Sequence, residues 1–518
     1  MANTPRGLAR IMPGIGLISL GLVAAVVMIG PVGCRSNRPV DTGTLLVDIR
    51  DPKLSTRTKL GLIGQTPELV EAGELDRSAA IEALKDIIWS RRLPSITRER
   101  ALHALLDEGG LLSADQGEQL VAQLLPTETD KGIVLALSKV AVLRHWVGTT
   151  PALVRAFAKP DVTRADDQRP EGLALLELHP DQSIEEIVFE TFLASGPTSS
   201  QGQHSRIRRD AWNLLSRLDA SGEMRVDLLS GLIADEELSS DDPTLSALRR
   251  GLVDLHTIPL TGEELQWLTR LASDDSASGR TWWEETRTAV QNLPPERRRG
   301  LRLRHMEALR WAAKYRTAWA NASIEDLRAE LDSRLEPRSH HRRLSDVVRF
   351  RSESLDTWGD AMVWADFLTA LVIDDAIRQD HLEAELFDQA DADRSDTTTE
   401  YGGIIRISLR RGREDQFVAA MYPPRPVMRE NDTSFVASPE MLIEGGRAVA
   451  HYHFHVQRVG NGQYAGPSDG DMLYAARYGR DCLVFTSIDK DTLAVDLYQP
   501  DGVVLDLGDI SIPEKDGP

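Results

Sequence analysis

Residues 451–455 read His-Tyr-His-Phe-His, and residues 466–471 read Gly-Pro-Ser-Asp-Gly-Asp. The first segment lies in a run that alternates and is rich in β-forming residues, a pattern that predicts a strand. Alternate residues of a strand point to the same face of the sheet. His451, His453 and His455 are therefore predicted to share one side, where two of them can meet one metal ion.

A helix is predicted directly after this strand. Ser468 is a favoured N-cap residue at the start of a helical pattern that runs to Tyr478. Asp471 then lies one turn into the helix. Imidazole nitrogens suit zinc, and a carboxylate completes a set of three ligands that leaves one position for water. Two of the histidines and a carboxylate are therefore a donor set that suits zinc.

The context of this motif resembles a known family of zinc hydrolases. Glu400 stands in Glu-Tyr-Gly-Gly upstream of the histidine pair His453 and His455, and Pro-Ser-x-x-Asp at 467–471 follows. Strands, a helix straight after the histidines and closing strands follow one another in that order. The segment at 397–510 resembles the JAMM metalloproteases (MPN type, prokaryotic JAB-like), which implies a cytidine-deaminase-like, three-layer α/β domain.

The resemblance also implies a chemistry. His453, His455 and Asp471 would bind zinc. Glu400 would act as general base and then as general acid, while the Ser468 hydroxyl would polarise the carbonyl and help to hold the tetrahedral intermediate. The implied reaction is zinc-dependent hydrolysis of a peptide or isopeptide bond in a protein or peptide substrate.

Two features depart from the family pattern. Val456 stands where the family usually has proline, and the twelve residues 456–467 make a longer gap before Ser468 than is usual. Gly-Asn-Gly at 460–462 predicts a tight turn inside this gap. A two-stranded extension would absorb the extra length without moving the ligands.

Two alternatives to an active JAMM-like peptidase stay open. One is a catalytically inactive JAMM-like fold in a helical-repeat scaffold lipoprotein that binds protein partners. The other is a cupin metal site, because Gly445 is followed after five residues by His451-x-His453. The cupin pattern then requires a glutamate, and the chain has Gln457 and Arg458 there. Outside a cupin, His451 is predicted to be a packing residue or a support of the site.

Residues 59–330 carry a helical pattern. Apolar residues recur at spacings of three and four, for example in residues 79–88 and 245–255. Many short amphipathic helices in series predict a HEAT-like α-solenoid, with an irregular all-helical domain as the alternative. The adjacent Trp282 and Trp283 are predicted to be core residues rather than a partner surface.

Residues 331–396 are predicted to be a helical linker region. Residues 362–373 are apolar nearly all round, which is typical of a buried helix. The acidic run at 388–396 lacks the glycine and glutamate of an EF-hand, so it predicts a solvated linker and not a calcium loop. His340 and His341 lie in a charged segment that is predicted to be at the surface.

The N-terminus, residues 1–34, has the pattern of a targeting segment. Basic residues precede an apolar stretch at 14–30, and Gly33-Cys34 follows. This resembles a bacterial lipoprotein signal with lipid attachment at Cys34, although Pro31 stands where the family usually has leucine. The alternative is an uncleaved membrane anchor. Residues 35–58 are predicted to be a tether. Either interpretation of residues 1–34, lipoprotein signal or anchor, would place the chain in the cell envelope, facing the extracytoplasmic side.

Length and composition set the frame for these predictions. A chain of 518 residues exceeds one ordinary domain and predicts a multidomain protein. The helical pattern followed by strands makes the predicted class α+β. The net charge of −20 argues against nucleic acid as a general partner. The two cysteines, Cys34 and Cys482, exclude a disulfide framework, and Cys482 lies in a strand pattern that predicts a buried, inert thiol.

Overall fold

The computed structural model describes residues 41–161, 163–195, 201–219, 221–233, 242–341, 353–410, 412–413 and 415–512. The predicted signal segment, Cys34 and the first part of the tether lie outside these residues. Within them, no helix is both long and apolar enough to cross a bilayer. The later part of the predicted tether is folded, because Leu45 and Ile49 are fully buried.

Most of the described chain before residue 341 is helical, in agreement with the predicted all-α region. The α-helices are α1 (Leu45–Asp48), α2 (Thr56–Glu71), α3 (Arg77–Trp89), α4 (Ser95–Leu106), α5 (Ala114–Leu124), α6 (Lys131–Leu143), α7 (Thr150–Ala158), α8 (Pro170–Leu178), α9 (Ile184–Ala194), α10 (Gln201–Leu218), α11 (Glu223–Ile233), α12 (Pro243–Leu255), α13 (Gly262–Ala272), α14 (Ala277–Gln291), α15 (Pro295–Arg298), α16 (Met306–Tyr315), α17 (Thr317–Asn321) and α18 (Ile324–Leu335). Short 3-10 helices span Leu125–Thr127, Val147–Thr149, Asp166–Gln168 and Leu303–His305.

Local sequence explains where many of these helices begin. Ser113 and Ser183 each form a capping box with the side chain three residues later, which satisfies otherwise unpaired N–H groups. Helices then pack on helices two or three positions away along the chain: α2 on α4, α4 on α6, α6 on α8, α5 on α7 and α7 on α10. Trp282 and Trp283 are buried in this core, as predicted.

Three further helices connect the helical region to the sheet: α19 (Leu355–Trp358), α20 (Trp364–Ile377) and α21 (Asp380–Arg394). Helix α20 is buried on nearly all sides, which confirms the prediction for residues 362–373. The solvated linker predicted at 388–396 is wrong for most of its length. Residues 388–394 continue α21, and Asp393 is only 3% exposed because the helix lies against the sheet.

The C-terminal part is a six-stranded mixed sheet, so the described chain is α+β. Its strands are β1 (Gly402–Ile407), β2 (Phe417–Met421), β3 (Ala450–His455), β4 (Cys482–Ser487), β5 (Thr492–Tyr498) and β6 (Val504–Ser511). Their order is β2-β1-β3-β4-β5-β6, and only the β3–β4 pair is parallel. That parallel pair requires a crossover. The crossover contains the 3-10 helix Gly462–Tyr464 and helix α23 (Asp469–Tyr478). Before β3, the 3-10 helices Pro426–Met428 and Gly445–Arg447 flank helix α22 (Pro439–Glu444).

The two faces of the sheet carry different side chains because strand residues alternate. Tyr452, Phe454 and Phe485 lie on the inner face and share one continuous apolar core with the helices. The free edge of β2 is covered by α21. There Gln389 donates to the Ala419 carbonyl (2.7 Å) and Glu385 accepts from the Ala419 N–H (3.1 Å). Side-chain pairing of this kind removes an exposed strand edge.

The helical region also contacts the sheet through polar groups. Buried Arg304 pairs with Asp481, the residue before β4, and with Asp366 of α20 at 2.6 Å. His340 and His341, predicted to lie in a charged surface segment, contact Asp506 and Asp509 of β6, each at 3.0 Å. The helical region and the sheet are therefore joined by charge as well as by apolar packing.

Asp496 on β5 is a buried carboxyl group whose ionisation opposes folding. The Gly466 N–H is near, but neither carboxyl oxygen accepts a well-formed hydrogen bond. Burial, reinforced by the charges of Asp506 and Glu353, raises its pKa well above the ordinary value. An acid whose folded-state pKa is raised costs stability once the pH passes its unfolded-state pKa, and the cost grows until the folded-state pKa is reached.

We therefore expect Asp496→Asn to raise the free energy of unfolding at pH 8, by about 1.4 kcal/mol for each pH unit between the unfolded-state pKa and the lower of pH 8 and the folded-state pKa. The gain should shrink towards pH 4, because the folded-state carboxyl stays neutral while the unfolded-state carboxyl, with a pKa of about 3.9, becomes about half protonated. Thermal melts across this pH range test it. The half-exposed Asp491→Asn is the matched control and should change little. Equal or lower stability of Asp496→Asn at pH 8 would contradict the assignment.

Candidate metal centre

The register of β3 places two histidines side by side on the outer face of the sheet. His453 lies opposite Gly402 on β1 and opposite Val484 on β4, in the middle of the sheet. Its side chain is 2% exposed. His455 follows at the strand end and is 12% exposed. Alternation therefore brings both imidazoles to one point, as the sequence predicts.

Ser468 and Asp471 begin α23 as a capping box. The Ser468 Oγ accepts the Asp471 N–H at 3.2 Å, and the Asp471 carboxylate accepts the Ser468 N–H at 2.6 Å. This reciprocal pair fixes the first turn of the helix. It directs Asp471 to the histidines, with one oxygen 3.2 Å from His453 Nε2 and the other 3.7 Å from His455 Nε2.

Glu400 reaches the same point from the segment before β1. It is 4% exposed and forms an isolated parallel bridge with Phe435. Gln457 donates its side-chain amide to the Glu400 carboxylate at 2.7 Å. Gln457 belongs to the long segment between the histidines and Ser468, so that segment helps to orient Glu400.

The long gap at 456–467 folds differently from the expected two-stranded extension. Gly460 has a positive φ of 77°, a left-handed conformation that favours glycine, and the segment then forms the 3-10 helix Gly462–Tyr464. Asn461 is 1% exposed and donates to the His455 carbonyl at 3.1 Å. These hydrogen bonds fold the segment back on the strand end, so the extra length leaves both histidines in place.

The resulting donor set fits a zinc ion. Glu400, His453 and His455 each offer one ligand atom within 4.8 Å of the others. The Nε2 atoms of His453 and His455 are 3.2 Å apart. Two nitrogen ligands on a tetrahedral zinc ion are separated by roughly 3.3 Å. Within the described residues, a buried Glu-His-His group can therefore hold a metal ion, with Asp471 beside the same imidazoles.

Hydrogen bonds to the other ring nitrogens agree with this role. His455 Nδ1 lies 3.1 Å from the Tyr464 carbonyl, which can only accept, so Nδ1 must carry the proton. In the neutral ring the lone pair is then on Nε2, the nitrogen that faces His453 and Asp471. Tyr498 Oη lies 3.4 Å from His453 Nδ1. Such outer contacts fix the tautomer and the ring orientation of a metal-binding histidine.

Burial and neighbouring charges shift the pKa values of His453, Asp471 and Glu400. Burial, the largest single effect, would lower the pKa of His453, but the charge and hydrogen bond of Asp471 together with the charges of Glu400 and Asp393 outweigh it, and the pKa is raised. Burial would likewise raise the pKa of Asp471, but both imidazoles and the Ser468 N–H together outweigh it, and the pKa is lowered. Burial raises the pKa of Glu400 to about 7. Glu400 can therefore gain and lose a proton near neutral pH.

The sequence interpretation missed a second buried acid beside Glu400. Asp393 at the end of α21 accepts the Tyr401 N–H at 2.9 Å and so holds the backbone next to Glu400. Burial, with the charge of Glu400, raises its pKa to about 8. Its spacing from Leu386 and Ala390 follows the apolar face of α21, and that periodicity could have identified it as buried.

His451 lies on the same strand face but outside the metal group. Its Nδ1 contacts the Tyr474 hydroxyl at 3.0 Å, and its ring packs edge-on against Trp267 at 5.9 Å between centroids. A Cβ on Gly445 would come within 2.6 Å of its Nε2, so this nitrogen faces backbone. The role predicted outside a cupin, a packing residue beside the site, agrees with this environment.

A cavity of about 770 Å³ opens over the metal group. Glu400, His455, Ser468 and Asp471 line it, and Tyr498 forms part of the wall. Phe435 stacks on His453 with 5.5 Å between ring centroids, which shields the imidazole from solvent. Four of the five predicted site residues thus share one solvent-accessible space that is large enough for a peptide segment.

Comparison of the chain with protein-family models, with curated proteins and with solved structures found no significant match. The chemistry assigned to this site therefore depends on its residues and their geometry. Those residues are the predicted Glu400, His453, His455, Ser468 and Asp471, which the fold brings together, and Asp393, which it adds.

Proposed function

We propose that the chain is a JAMM-like zinc metallopeptidase that hydrolyses a peptide or isopeptide bond. The observation that carries the proposal is the convergence of Glu400, His453 and His455 within ligand distance, with Asp471 held against the same imidazoles by its capping box. The order of strands, a helix after the histidines and closing strands supports a JAMM-like arrangement of the sheet.

In this proposal each residue has one task. His453, His455 and Asp471 would hold zinc, which supplies Lewis acidity towards water and the scissile carbonyl. Glu400, with a pKa of about 7, takes a proton from the attacking water and returns it to the leaving amine. The Ser468 Oγ accepts the Asp471 N–H, which leaves its own proton to donate to the carbonyl oxygen. Gln457 keeps the Glu400 carboxylate oriented.

Two further proposals concern the parts of the chain outside the metal group. We propose that the helical region is a HEAT-like solenoid, which is supported by the packing of α4 on α6 and α6 on α8. We also propose a lipid tether at Cys34 in the cell envelope, on the extracytoplasmic side, with a protein or peptide substrate. The support for the tether is the sequence pattern of residues 1–34.

Hydrolysis assays on the zinc-loaded full chain test the proposed activity, with peptide and isopeptide substrates. We expect Glu400→Gln to lower kcat by about 100- to 10,000-fold, the usual contribution of a general base or acid. The variant should retain zinc and its melting temperature, since the side chain keeps its shape. Glu440→Gln, an exposed change of the same kind on α22, should retain full activity.

Two results would count against the peptidase. One is a Glu400→Gln variant that retains full activity, because Glu400 would then not be the general base of the reaction. The other is a zinc-loaded parent that cleaves none of the peptide or isopeptide substrates. The second result would favour the inactive scaffold that binds protein partners.

A further inference from the structure

The cavity extends away from the metal group along a row of aromatic rings. Phe435 stacks on His453 and lies 5.8 Å from the Tyr474 ring, which in turn lies 4.6 Å from Tyr478. Phe435, Tyr474 and Tyr478 all line the cavity and are called the aromatic arm here. Leu473 lines the same space and is 72% exposed, so its side chain is available to a ligand.

Arg477 lies beside Tyr478 at the far end of the aromatic arm. It lines the cavity, and its guanidinium carbon is 5.3 Å from the Tyr478 ring centroid. Among the described residues it forms no salt bridge, although the chain is acidic overall. The carboxylate of Glu263 is near Tyr478, but it pairs with Arg209 at 3.6 Å. Within the described part of the chain, Arg477 is thus a cation without a paired carboxylate at the end of an apolar path.

The distance from the metal group to Arg477 determines where along a bound peptide a carboxylate must lie. Arg477 follows Asp471 by six residues of α23, which corresponds to about 9 Å along a helix. An extended peptide rises about 3.3 Å per residue, so this distance spans about three residues. A group that pairs with Arg477 would therefore lie about three residues from the bond held over the metal group.

We propose that the aromatic arm binds an extended peptide with apolar side chains beside the scissile bond and a carboxylate about three residues away, which pairs with Arg477. This inference depends on the proposed peptidase function and adds its substrate class. Apolar residues pack against Phe435, Tyr474 and Leu473. An acidic side chain and a C-terminal carboxylate present the same chemistry to Arg477, and the experiment below separates them.

Binding, measured apart from catalysis, tests the proposal. Dye-labelled nonapeptides are titrated with the full-length Glu400→Gln protein, and fluorescence anisotropy gives the Kd. The peptides share a central Phe-Leu-Ala and carry Glu, Gln or Lys three residues to each side of it, so either chain direction is covered. A second pair of peptides carries no acidic side chain. Both end three residues after the central Phe-Leu-Ala, one in a free carboxylate and the other in an amide.

We expect the Glu peptide to bind about fivefold more tightly than the Gln peptide, the upper range for an exposed ion pair. Arg477→Ala should abolish this preference, and Arg477→Glu should reverse it in favour of the Lys peptide. Arg477 is exposed, so both variants are expected to fold, and a thermal melt checks it. Arg270→Glu, an exposed arginine of α13 away from the cavity, should leave the preference unchanged.

The possible results separate this inference from the function on which it depends. Equal binding of the Glu and Gln peptides, or no binding of any peptide, would overturn the inference. A preference that survives in Arg477→Ala would also overturn it. If the parent still hydrolyses peptides in either case, the peptidase proposal stands without this specificity. Tighter binding of the free carboxylate than of the amide would identify a C-terminal carboxylate as a partner of Arg477.

Discussion

Zinc should raise the melting temperature of the parent chain and leave that of His455→Gln unchanged. A ligand that binds only the folded state, at one hundred times its Kd, stabilises that state by about 2.7 kcal/mol. His455 is the appropriate position for substitution because it lies at the strand end and is 12% exposed, whereas His453 is 2% exposed. Differential scanning fluorimetry with and without zinc measures the shift, and metal analysis should give one zinc per parent chain.

The matched control is His451→Gln, four residues before His455 on the same strand face. His451 contacts Tyr474 and Trp267 and faces Gly445, so its loss should lower the melting temperature without changing the zinc content. A cupin site predicts the reverse, namely zinc lost in His451→Gln and retained in Asp471→Asn. The parent chain is purified without chelator, and zinc is then added. If it still contains no zinc, the proposed metal site is wrong.

A fragment that contains only residues 397–512 should fail to fold. The inner face of its sheet carries Tyr452, Phe454, Phe485 and Leu497, all of them at most 1% exposed in the full chain. Exposing a large apolar side chain costs about 1.5–3 kcal/mol, so four of them cost about 6–12 kcal/mol. The free energy of unfolding of a typical domain is about 5–15 kcal/mol, which leaves the fragment little or no net stability.

Specific contacts from the helices add to this expected loss. Trp311 of α16 packs on Phe417 of β2 at 4.9 Å, and Gln389 of α21 accepts the Tyr452 hydroxyl hydrogen. Circular dichroism in the near ultraviolet and thermal melts compare the fragment with residues 41–512. We expect cooperative unfolding only for the longer chain. A cooperative melt of residues 397–512 would show that the sheet is an independent folding unit.

Much of the site was predictable from sequence because it follows local rules. The period-2 pattern of residues 451–455 determines which side chains share a face, and that face contains His453 and His455 in the structure. A serine before a helical pattern determines a cap, and Ser468 is the N-cap of α23. Both rules need only neighbours in the chain.

Other features of the site depend on residues that are far apart in sequence. Asp393 was interpreted as solvated because its neighbours are acidic, yet α21 packs against the sheet edge and buries it. Gln457 and Phe435 reach Glu400 from separate segments, and no local pattern specifies either contact. Long-range packing decides these positions, and composition in a short window does not report it.

The sequence by itself determined the strand that carries the histidines, the cap that begins α23, and the apolar periods of the helical region. Each of these follows from backbone geometry and the polarity of adjacent residues. Only the tertiary structure decided that His453 rather than His451 faces Asp471, that Asp393 lies beside Glu400, and that the helices complete the core of the sheet. Those outcomes depend on burial and on distances between distant segments, which are set when the whole chain packs.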